Sequence, residues 1–358
     1  MSTKLNEIEI VNYRGIRNLH ISNLKKINVI VGDNNSGKTS FLEAISMFAN
    51  TSIGNVLFSC GKRVAALTIG DLFTEFVYAF PNEKEKKINI NAVFNDKKYE
   101  LLLQGNINKT LVPLDDLKPF SVNSVINEVN QFDGILAYKC NDKFISRQDL
   151  KLNAYNTYKK RISNSKDNIE RICYVTPTEY SNSNISFYKD MYKNEKYKQL
   201  IVEALKIFDP YITDLMIIPD EFGTPIQYIN NSKIGITPVS TYGDGVKKII
   251  TIAAGLAVAH DGILLIDEFE TGLHIKNYDD VFVFVQKACE AFNVQLFLTT
   301  HSIEAVDELL KLDSSEKNDE IIFVTLRKDY DQNKTLSRIM TASEVKSNRE
   351  KFDFEVRL

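Results

Sequence analysis

The sequence predicts an α/β fold with a mainly parallel sheet, and three observations support this prediction. From residue 241 onward, short apolar stretches alternate with segments of helical periodicity, the pattern of a sheet covered by helices on both faces. The apolar run Ile27–Val31 is nearly continuous, as expected of a strand buried on both faces. A glycine-rich loop follows this run, and apolar residues then recur at helical spacing at Phe41, Leu42, Ile45 and Phe48.

The other elements follow from local periodicity and turn signals. Interspersed apolar residues predict an antiparallel β subdomain near residues 5–24 and 85–105, in which Asn95 and Asp96 form a turn. Residues 105–170 show only weak periodicity. The remaining expected elements are helices at 64–80, 188–208, 246–259, 275–292 and 303–311, and strands at 171–175, 216–219, 225–229, 263–266, 294–299, 321–326 and 336–340.

The composition is that of a globular chain. The 358 residues include 44 Lys and Arg against 47 Asp and Glu, which gives a formal net charge of −3. This balance argues against a generally basic nucleic-acid coat, although it allows a local basic patch. The four cysteines are far apart and form no CxxC pair, so we expect a reducing, cytoplasmic location. The longest apolar stretch, Ile249–Ala259, is too short to span a membrane, and residues 1–10 contain no signal-peptide core.

The strongest motif is the loop Gly32–Thr39, which fits the pattern GxxxxGK[ST] at every fixed position. Its glycines let the backbone curl so that successive N–H groups point at phosphate oxygens, and the helix that follows adds a positive dipole. In such a loop Lys38 reaches the β- and γ-phosphates, and the Thr39 hydroxyl coordinates Mg²⁺. The residues expected to hold ATP are Asn34, Asn35, Ser36, Gly37, Lys38, Thr39 and Ser40.

Two later strands end in residues suited to phosphate chemistry. The apolar strand Ile263–Ile266 is followed by Asp267, which would hold the Mg²⁺ shell through water, and by Glu268, which would act as general base on the attacking water. His301 follows the next strand, one strand–helix unit later, so it should emerge at the same edge of the sheet. We expect His301 to contact the γ-phosphate or the water.

The chain resembles the ABC-type ATPase heads of the SMC, RecF and OLD group in four segments: Gly32–Thr39, Asp267–Glu268, Phe269–His274 and Thr299–Ser302. Within that group, Asn12–Ile16 and Asp33–Ser36 look most like stand-alone OLD-like ATPases of the AAA15 and AAA21 types. The resemblance covers residues 1–50 and 238–326 well and the middle only by the order of elements. It implies Mg²⁺-dependent hydrolysis of ATP, and a head-to-tail dimer in which the signature motif of one head completes the ATP site of another.

The resemblance places that signature motif at residues 240–245, at the start of the helix predicted over 246–259. A helix N-terminus suits a γ-phosphate because it carries a partial positive charge. The segment departs from the usual Leu-Ser-Gly-Gly pattern, so either Ser240 or Gly243 fills the serine position. The residues expected to contact the nucleotide here are Ser240, Gly243, Asp244 and Gly245.

Two further features leave alternatives open. Lys247 and Lys248 lie in the first turn of the signature helix, where they indicate either a nearby anion, such as ATP or DNA, or solvated side chains. Relatives often carry a Q-loop glutamine just after the strand that precedes the insertion, and this sequence has none there. Thr178 or Glu179 could replace it, and Gln104 is a poorer candidate, so the position is not assigned.

Some OLD-like proteins carry a C-terminal Toprim nuclease domain, and Asp329 with Asp331 resembles part of its metal site. Too few residues follow His301 for such a domain, so we expect residues 329–333 to form a hairpin turn and the chain to contain no nuclease.

The chain is expected to divide into three parts. Residues 1–105 are the N-terminal part of the head with the P-loop and the β subdomain, and residues 106–237 are a mixed helical insertion. Residues 238–358 are the C-terminal part of the head with the signature, Walker B, D-loop and switch histidine.

The resemblance implies an ATPase that dimerises or assembles on ATP and controls a separate effector, such as a nuclease or toxin, as in prokaryotic antiviral defence. Two other functions remain open: a RecF-like DNA-repair ATPase that acts directly on DNA, and a slowly hydrolysing, nucleotide-gated scaffold. Salt-dependent DNA affinity would favour the RecF-like function. A co-purifying protein, or a higher oligomer without DNA, would favour the others. We expect a homo-oligomer and no membrane partner.

Overall fold

The computed structural model describes residues 3–64, 69–82, 86–113, 126–155, 170–177, 194–312 and 320–352, together with Tyr188 and Tyr192. Its strands are β1 (Leu5–Tyr13), β2 (Ile16–Ile21), β3 (Ile27–Val31), β4 (Lys86–Phe94), β5 (Lys97–Pro113), β6 (Ile126–Cys140), β7 (Lys143–Asn153), β8 (Ile172–Val175), β9 (Ile212–Pro219), β10 (Pro225–Asn231), β11 (Gly235–Pro238), β12 (Ile263–Ile266), β13 (Gln295–Thr299), β14 (Ile321–Asp329) and β15 (Lys334–Thr341). Its α-helices are α1 (Lys38–Ser46), α2 (Ile53–Gly61), α3 (Ile69–Tyr78), α4 (Glu195–Leu205), α5 (Asp244–Val258), α6 (Tyr278–Ala291), α7 (Ile303–Leu312) and α8 (Ala342–Phe352).

The mainly parallel sheet predicted from the sequence is confirmed. Its strand order is β15-β14-β3-β13-β12-β8, and every neighbouring pair is parallel except the edge pair of β14 and β15. The strand β3 lies inside this sheet, where Ile27 pairs with Ile321 on one side and stands in register with Leu296 on the other. All five residues of β3 are buried, which explains why the strand is apolar apart from Asn28.

A second sheet is fully antiparallel and has the strand order β2-β1-β4-β5-β6-β7. Its turn at Asn95 and Asp96 is confirmed, and a matching turn lies at Asn141 and Asp142. All four residues have a positive φ, between 46° and 65°, as the two-residue turns of hairpins require. The division expected after residue 105 falls within β5, and the antiparallel sheet continues from there to Asn153.

The region before the signature segment combines α4 with a small antiparallel sheet. The strand order of this sheet is β11-β10-β9, so the predicted hairpin is extended by a third short strand. The first strand begins at Ile212, four residues earlier than expected from the apolar run at 216–219. Of the helix predicted over 188–208, the structure describes Tyr188, Tyr192 and the segment that contains α4.

The two faces of the parallel sheet pack into two hydrophobic clusters. On one face, residues such as Val29 and Leu296 pack with α4, α5, α6 and α7. On the other face, residues such as Ile30 and Phe297 pack with α1, α2, α3 and the inner side of the antiparallel sheet. The helix that follows the glycine-rich loop therefore lies between the two sheets. No disulfide links the four cysteines, all of which the structure describes, and within the described ranges no helix is both long and apolar enough to cross a membrane.

A buried ionic cluster anchors this helix. The Glu43 side chain of α1 is 0% exposed, and its carboxylate lies 2.9 Å from Arg14 Nε and 2.7 Å from Arg63 Nε. The Tyr13 hydroxyl donates a further hydrogen bond of 3.0 Å to it. Burial raises the pKa of Glu43, and the two guanidinium groups oppose this shift. The cluster ties the turn between β1 and β2, the helix α1 and the segment after α2 to one another.

Replacing Glu43 by Gln is expected to lower the free energy of unfolding by about 3 kcal/mol, because two guanidinium groups lose a buried counterion. Denaturant unfolding followed by far-UV circular dichroism measures this change. The matched control is Glu100→Gln, which breaks an ion pair with Lys139 whose side chains are 28% and 30% exposed. That variant should lose less than about 1 kcal/mol. Equal losses in the two variants would show that the cluster does not stabilise the fold.

Candidate active site

The glycine-rich loop joins β3 to α1 through several left-handed residues. Gly32, Asn35 and Gly37 have φ values of 140°, 65° and 108°. A side chain at Gly32 would collide with the Leu326 carbonyl on the neighbouring strand β14, so the loop can leave the sheet here only with glycine. The backbone therefore curls back over the N-terminus of α1, which begins at Lys38.

The Lys38 side chain hydrogen-bonds to the backbone of this loop. Its ammonium group donates hydrogen bonds of 2.7 Å to the Gly32 carbonyl and 2.8 Å to the Asp33 carbonyl. Burial lowers the pKa of Lys38 to about 8, and the nearby carboxylates, Asp267 first among them, oppose this shift. The Ser36 hydroxyl is also buried, and no described group hydrogen-bonds to it. A buried donor without a partner beside a buried ammonium group fits an anionic ligand such as a phosphate.

Asp267 lies at the end of β12, where neighbouring strands fix its carboxylate. One oxygen accepts a hydrogen bond of 2.6 Å from the Thr299 hydroxyl of β13, and the other accepts a long one of 3.4 Å from the Tyr174 hydroxyl of β8. Burial raises the pKa of Tyr174, so its hydroxyl stays protonated. The weak contact leaves the second oxygen of Asp267 with capacity for a water or a metal-bound water.

Glu268 follows in an unusual backbone conformation. Its φ is 46°, and its N–H donates a hydrogen bond of 2.8 Å to the same Thr299 hydroxyl. Its carboxylate accepts a hydrogen bond of 3.2 Å from the Thr271 hydroxyl. Its carbonyl accepts a hydrogen bond of 3.3 Å from Lys248 Nζ. The backbone of Glu268 is thus held on both sides while its side chain stays partly accessible.

His301 leaves β13 two residues after its end. Since β12 and β13 are parallel neighbours, His301 and Asp267 emerge at the same edge of the sheet, as expected. The backbone N–H of His301 donates a hydrogen bond of 2.6 Å to one carboxylate oxygen of Glu270. The other oxygen of Glu270 is buried and has no partner among the described residues. It is a second buried polar atom, after the Ser36 hydroxyl, that a ligand or water would satisfy.

Three side chains that shape this site were not predicted to do so from the sequence. They are Thr299, Glu270 and Lys248, and Lys248 contacts Glu268. Thr299 ends an apolar strand with a hydroxyl, which is a weak signal on its own. Glu270 occurs only within the segment that resembles the family. Lys248 sits in a mostly apolar helix, but the sequence alone allows both a buried and a solvated lysine at that position.

The signature segment presents several of its residues to solvent. Ser240, Gly243 and Asp244 are exposed, and α5 begins at Asp244. A Cβ at Gly243 would meet no atom within 4 Å, whereas one at Gly245 would press on Phe208 of the same chain. Because Ser240 and Gly243 are both accessible, both alternatives for the serine position stay open.

The two lysines of this helix have different environments. Lys247 makes a partly exposed ion pair of 3.2 Å with Asp244 of its own helix, in agreement with a solvated side chain. Lys248 is completely buried and lies beside the carbonyl of Glu268. The two lysines therefore differ in burial, and the sequence alone did not predict this difference.

The Q-loop position stays unassigned. Thr178 and Glu179 lie outside the described residues. Gln104 lies within β5 of the antiparallel sheet, opposite Lys87 and Ile135, rather than at the edge of the parallel sheet that carries the other site residues.

The hairpin turn expected at 329–333 is confirmed. Asp329 and Lys334 are the last pair of the β14–β15 ladder. The Asp329 carboxylate accepts a hydrogen bond of 3.0 Å from the Gln332 N–H, so this side chain stabilises the turn.

The chain is similar to several known proteins. Residues 27–307 match the family described as AAA domain, putative AbiEii toxin, Type IV TA system. An ATP/GTP phosphatase of Helicobacter pylori is 21% identical over 342 residues, which cover 86% of this chain and 88% of that protein. The DNA replication and repair protein RecF of Clostridioides difficile is 31% identical over 127 residues, which cover 32% of this chain and 33% of RecF.

The fold is also that of a solved SMC head. The crystal structure of an SMC head bound to the C-terminal winged-helix domain of ScpA superposes with a TM-score of 0.52 and covers 95% of this chain and 99% of that chain. The sequences are 14% identical, so this likeness concerns the fold alone.

Proposed function

The chain belongs to the family described as AAA domain, putative AbiEii toxin, Type IV TA system, and from this premise we propose that it is a Mg²⁺-dependent ATPase that assembles on ATP and controls a separate partner protein. One observation carries the proposal most directly. Lys38, Asp267 and Glu268 lie at one edge of the parallel sheet, close enough for both carboxylates to act on the charge of the lysine. The Ser36 hydroxyl, in the same loop as Lys38, is buried without a hydrogen-bond partner among the described residues and fits a phosphate oxygen.

The proposed reaction is hydrolysis of the β–γ bond. Lys38 binds the β- and γ-phosphates, and the loop N–H groups with the dipole of α1 orient them. Glu268 accepts a proton from the attacking water, whose oxygen forms the new bond to the γ-phosphorus while the bond to the β-phosphate oxygen breaks, giving ADP and phosphate. His301 contacts the γ-phosphate or this water. Mg²⁺, when bound, neutralises developing charge on the phosphates; Thr39 and Asp267 would hold it, Asp267 through water.

The signature segment would act on a neighbouring molecule. Ser240, Gly243 and Asp244 are exposed, and the N-terminus of α5 is accessible to an anion from outside the chain. We propose that this segment closes over the ATP held by the loop of a second copy, so that ATP drives a head-to-tail dimer with two composite sites.

Replacing Gly243 by Arg is expected to leave ATP binding to the monomer within about threefold of the wild type and to reduce turnover at least about tenfold. The new side chain points into open space in its own chain and would therefore block only the approach of a partner. Titration calorimetry measures ATP binding, phosphate release measures turnover, and light scattering with ATP shows whether the variant still dimerises. Asn108→Arg is the matched control, because it adds the same charge at an exposed position of the antiparallel sheet.

Mixing this variant with Lys38→Ala tests the composite site. The mixed dimer contains one intact site, made from the loop of the Gly243→Arg chain and the signature of the other chain. Part of the turnover should therefore return on mixing. A mixture that stays inactive, although both chains are folded and associate, would rule out independent composite sites.

The proposed cellular role is to pass the nucleotide state to an effector such as a nuclease or toxin, as in prokaryotic antiviral defence. Its support is the resemblance to OLD-like ATPases together with the description of the matched family. The stretch similar to RecF favours a second candidate, direct action on DNA. A nucleotide-gated scaffold with slow turnover is the remaining alternative.

Two measurements separate these roles. Affinity purification with ATP and the Glu268→Gln variant should retain a stoichiometric partner if the protein controls an effector. DNA affinity measured at about 50 and 200 mM salt should fall steeply if the protein acts on DNA directly, because phosphate contacts release counterions. An ATP-dependent higher oligomer without partner or DNA would identify the scaffold.

A further inference from the structure

Lys248 is a buried lysine with no place in the reaction described above. It is 0% exposed and lies on the second turn of α5, the helix that starts at the signature segment. Its neighbours in this helix are mostly buried apolar residues, among them Ile249 and Ile252. A buried ammonium group needs nearby opposite charge, so its surroundings point to its role.

Its surroundings are acidic and belong to the segment that follows β12. The carboxylates of Glu270, Asp267 and Glu268 all act on the charge of Lys248. Its Nζ also donates a hydrogen bond of 3.3 Å to the Glu268 carbonyl. The lysine therefore joins the signature helix to the segment that carries the proposed metal-binding and general-base residues.

The contact falls on a residue with an unusual backbone conformation. Glu268 has a φ of 46°, in the left-handed region. Residues other than glycine rarely adopt this backbone conformation unless the surrounding structure holds them in it. The Thr299 hydroxyl holds its N–H. Its carbonyl accepts a hydrogen bond of 3.0 Å from the Thr271 N–H and a second one of 3.3 Å from Lys248 Nζ. Together these contacts orient the two peptide groups that flank the Glu268 side chain, and Lys248 is the one among them that comes from the signature helix.

We propose that Lys248 is a positioning residue that keeps the peptide of Glu268 in its left-handed conformation and so aims the carboxylate at the attacking water. Because Lys248 lies on the signature helix, the same contact couples the signature segment of a chain to the hydrolysis centre of that same chain. In a head-to-tail dimer, this segment touches the ATP held by the partner. Each chain would therefore adjust its own hydrolysis centre to the occupancy of the other site. The inference rests on the proposed ATPase function.

The first test replaces Lys248 by Met, which fills a similar volume without a charge to bury. We expect kcat to fall at least about tenfold while KM and ATP affinity stay within about threefold, since the nucleotide contacts are untouched. Lys248→Arg keeps the charge and the N–H donors and should recover part of the rate. The matched control is Lys247→Met, which changes the neighbouring, partly exposed lysine and should leave kcat within twofold.

The melting temperature of each variant accompanies these rates. If Lys248→Met melts well below the wild type, Lys248→Gln provides the same test, because it removes the charge but keeps a polar end. A kcat close to the wild type in the folded neutral variant would overturn the proposal. Equal losses in the Met and Arg variants would also overturn it, because they would show that Lys248 only packs.

The second test asks on which chain Lys248 acts. A dimer of Lys248→Met and Lys38→Ala chains has one site able to hold ATP, and the Glu268 of that site belongs to the Lys248→Met chain. This mixture should therefore stay slow, whereas the mixture of Gly243→Arg with Lys38→Ala recovers turnover. The two changed residues are only five positions apart on one segment, so opposite results assign them to opposite sites. Recovery in both mixtures would show that Lys248 serves the partner's site and would overturn the proposal.

The wild-type rate separates failure of this inference from failure of the proposed function. If the wild type releases no phosphate from ATP, the ATPase proposal fails, and with it this inference. If the wild type turns over and Glu268→Gln does not, but Lys248→Met retains the full rate, only the positioning role is wrong.

Discussion

The Lys38→Ala variant is expected to bind ATP at least about 100-fold more weakly than the wild type. The ammonium group is the one basic group that hydrogen-bonds within the glycine-rich loop among the described residues, and its loss removes charge-assisted contacts to two phosphates. Contacts to charged groups contribute about 1.5–3 kcal/mol each, and about 1.4 kcal/mol corresponds to a factor of ten in affinity. Titration calorimetry with Mg²⁺ and ATP measures the difference.

Lys26→Ala is the matched control for this experiment. Lys26 precedes β3 at the opposite end of the strand, where its Nζ contacts Asn293 at 3.4 Å. It should bind ATP like the wild type, although it loses the same charge. Equal ATP affinities for wild type and Lys38→Ala would contradict the assignment of the loop as a phosphate-binding site.

The Glu268→Gln variant is expected to bind Mg²⁺–ATP normally and to hydrolyse it at least about 100-fold more slowly. An amide cannot accept a proton from water, and general-base catalysis contributes about 10²–10⁴-fold. The oxygen of the side-chain amide can still accept the hydrogen bond from the Thr271 hydroxyl, which preserves the local structure. Phosphate release measures the rate, and sedimentation with ATP should show a trapped dimer.

Glu290→Gln, at the exposed end of α6, provides the control for loss of one carboxylate. Its turnover should stay within twofold of the wild type. If Glu268→Gln also stays within twofold, Glu268 is not the base. Glu270, whose second carboxylate oxygen has no hydrogen-bond partner among the described residues, then becomes the next candidate.

The elements closest to the proposed ATP site were predictable from sequence because each has a strong local signal. The strand β3 is apolar except for Asn28, and the loop after it requires glycine at position 32, where its backbone passes the Leu326 carbonyl. The strands β12 and β13 are short apolar runs separated by one helix, which is the pattern of parallel neighbours. The residues that end these two strands could therefore be placed at one edge of the sheet from the pattern of the sequence.

The long antiparallel strands beyond residue 105 had no such signal. Few residues of β6 and β7 are buried, among them Phe132 and Leu150, and they do not alternate regularly with exposed ones. The register of β6 against β7 also shifts between Tyr138 and Lys139, which interrupts the alternation. The helix α2 contains two glycines within nine residues, so intrinsic propensity argues against it, and only packing against the core explains it.

The charged contacts were unpredictable for a different reason. Whether Lys248 is solvated or buried depends on which face of α5 meets the segment after β12, and that is a property of tertiary packing. The same holds for Glu43, which lies one turn beyond the loop and resembles any surface glutamate of a helix until Arg14 and Arg63 approach it.

The position of β3 also determines when the nascent chain can acquire its activity. Both neighbours of β3 come from the far end of the chain, since Ile27 pairs with Ile321 and stands in register with Leu296. A ribosome adding about 5–20 residues per second would therefore display the apolar β3 strand, with both its edges unpaired, for tens of seconds before β13 and β14 emerge. During this interval the strand is open to chaperones or to another copy of itself. Closing such long loops is slow, so the protein should gain nucleotide binding in a single late step of folding rather than gradually during synthesis.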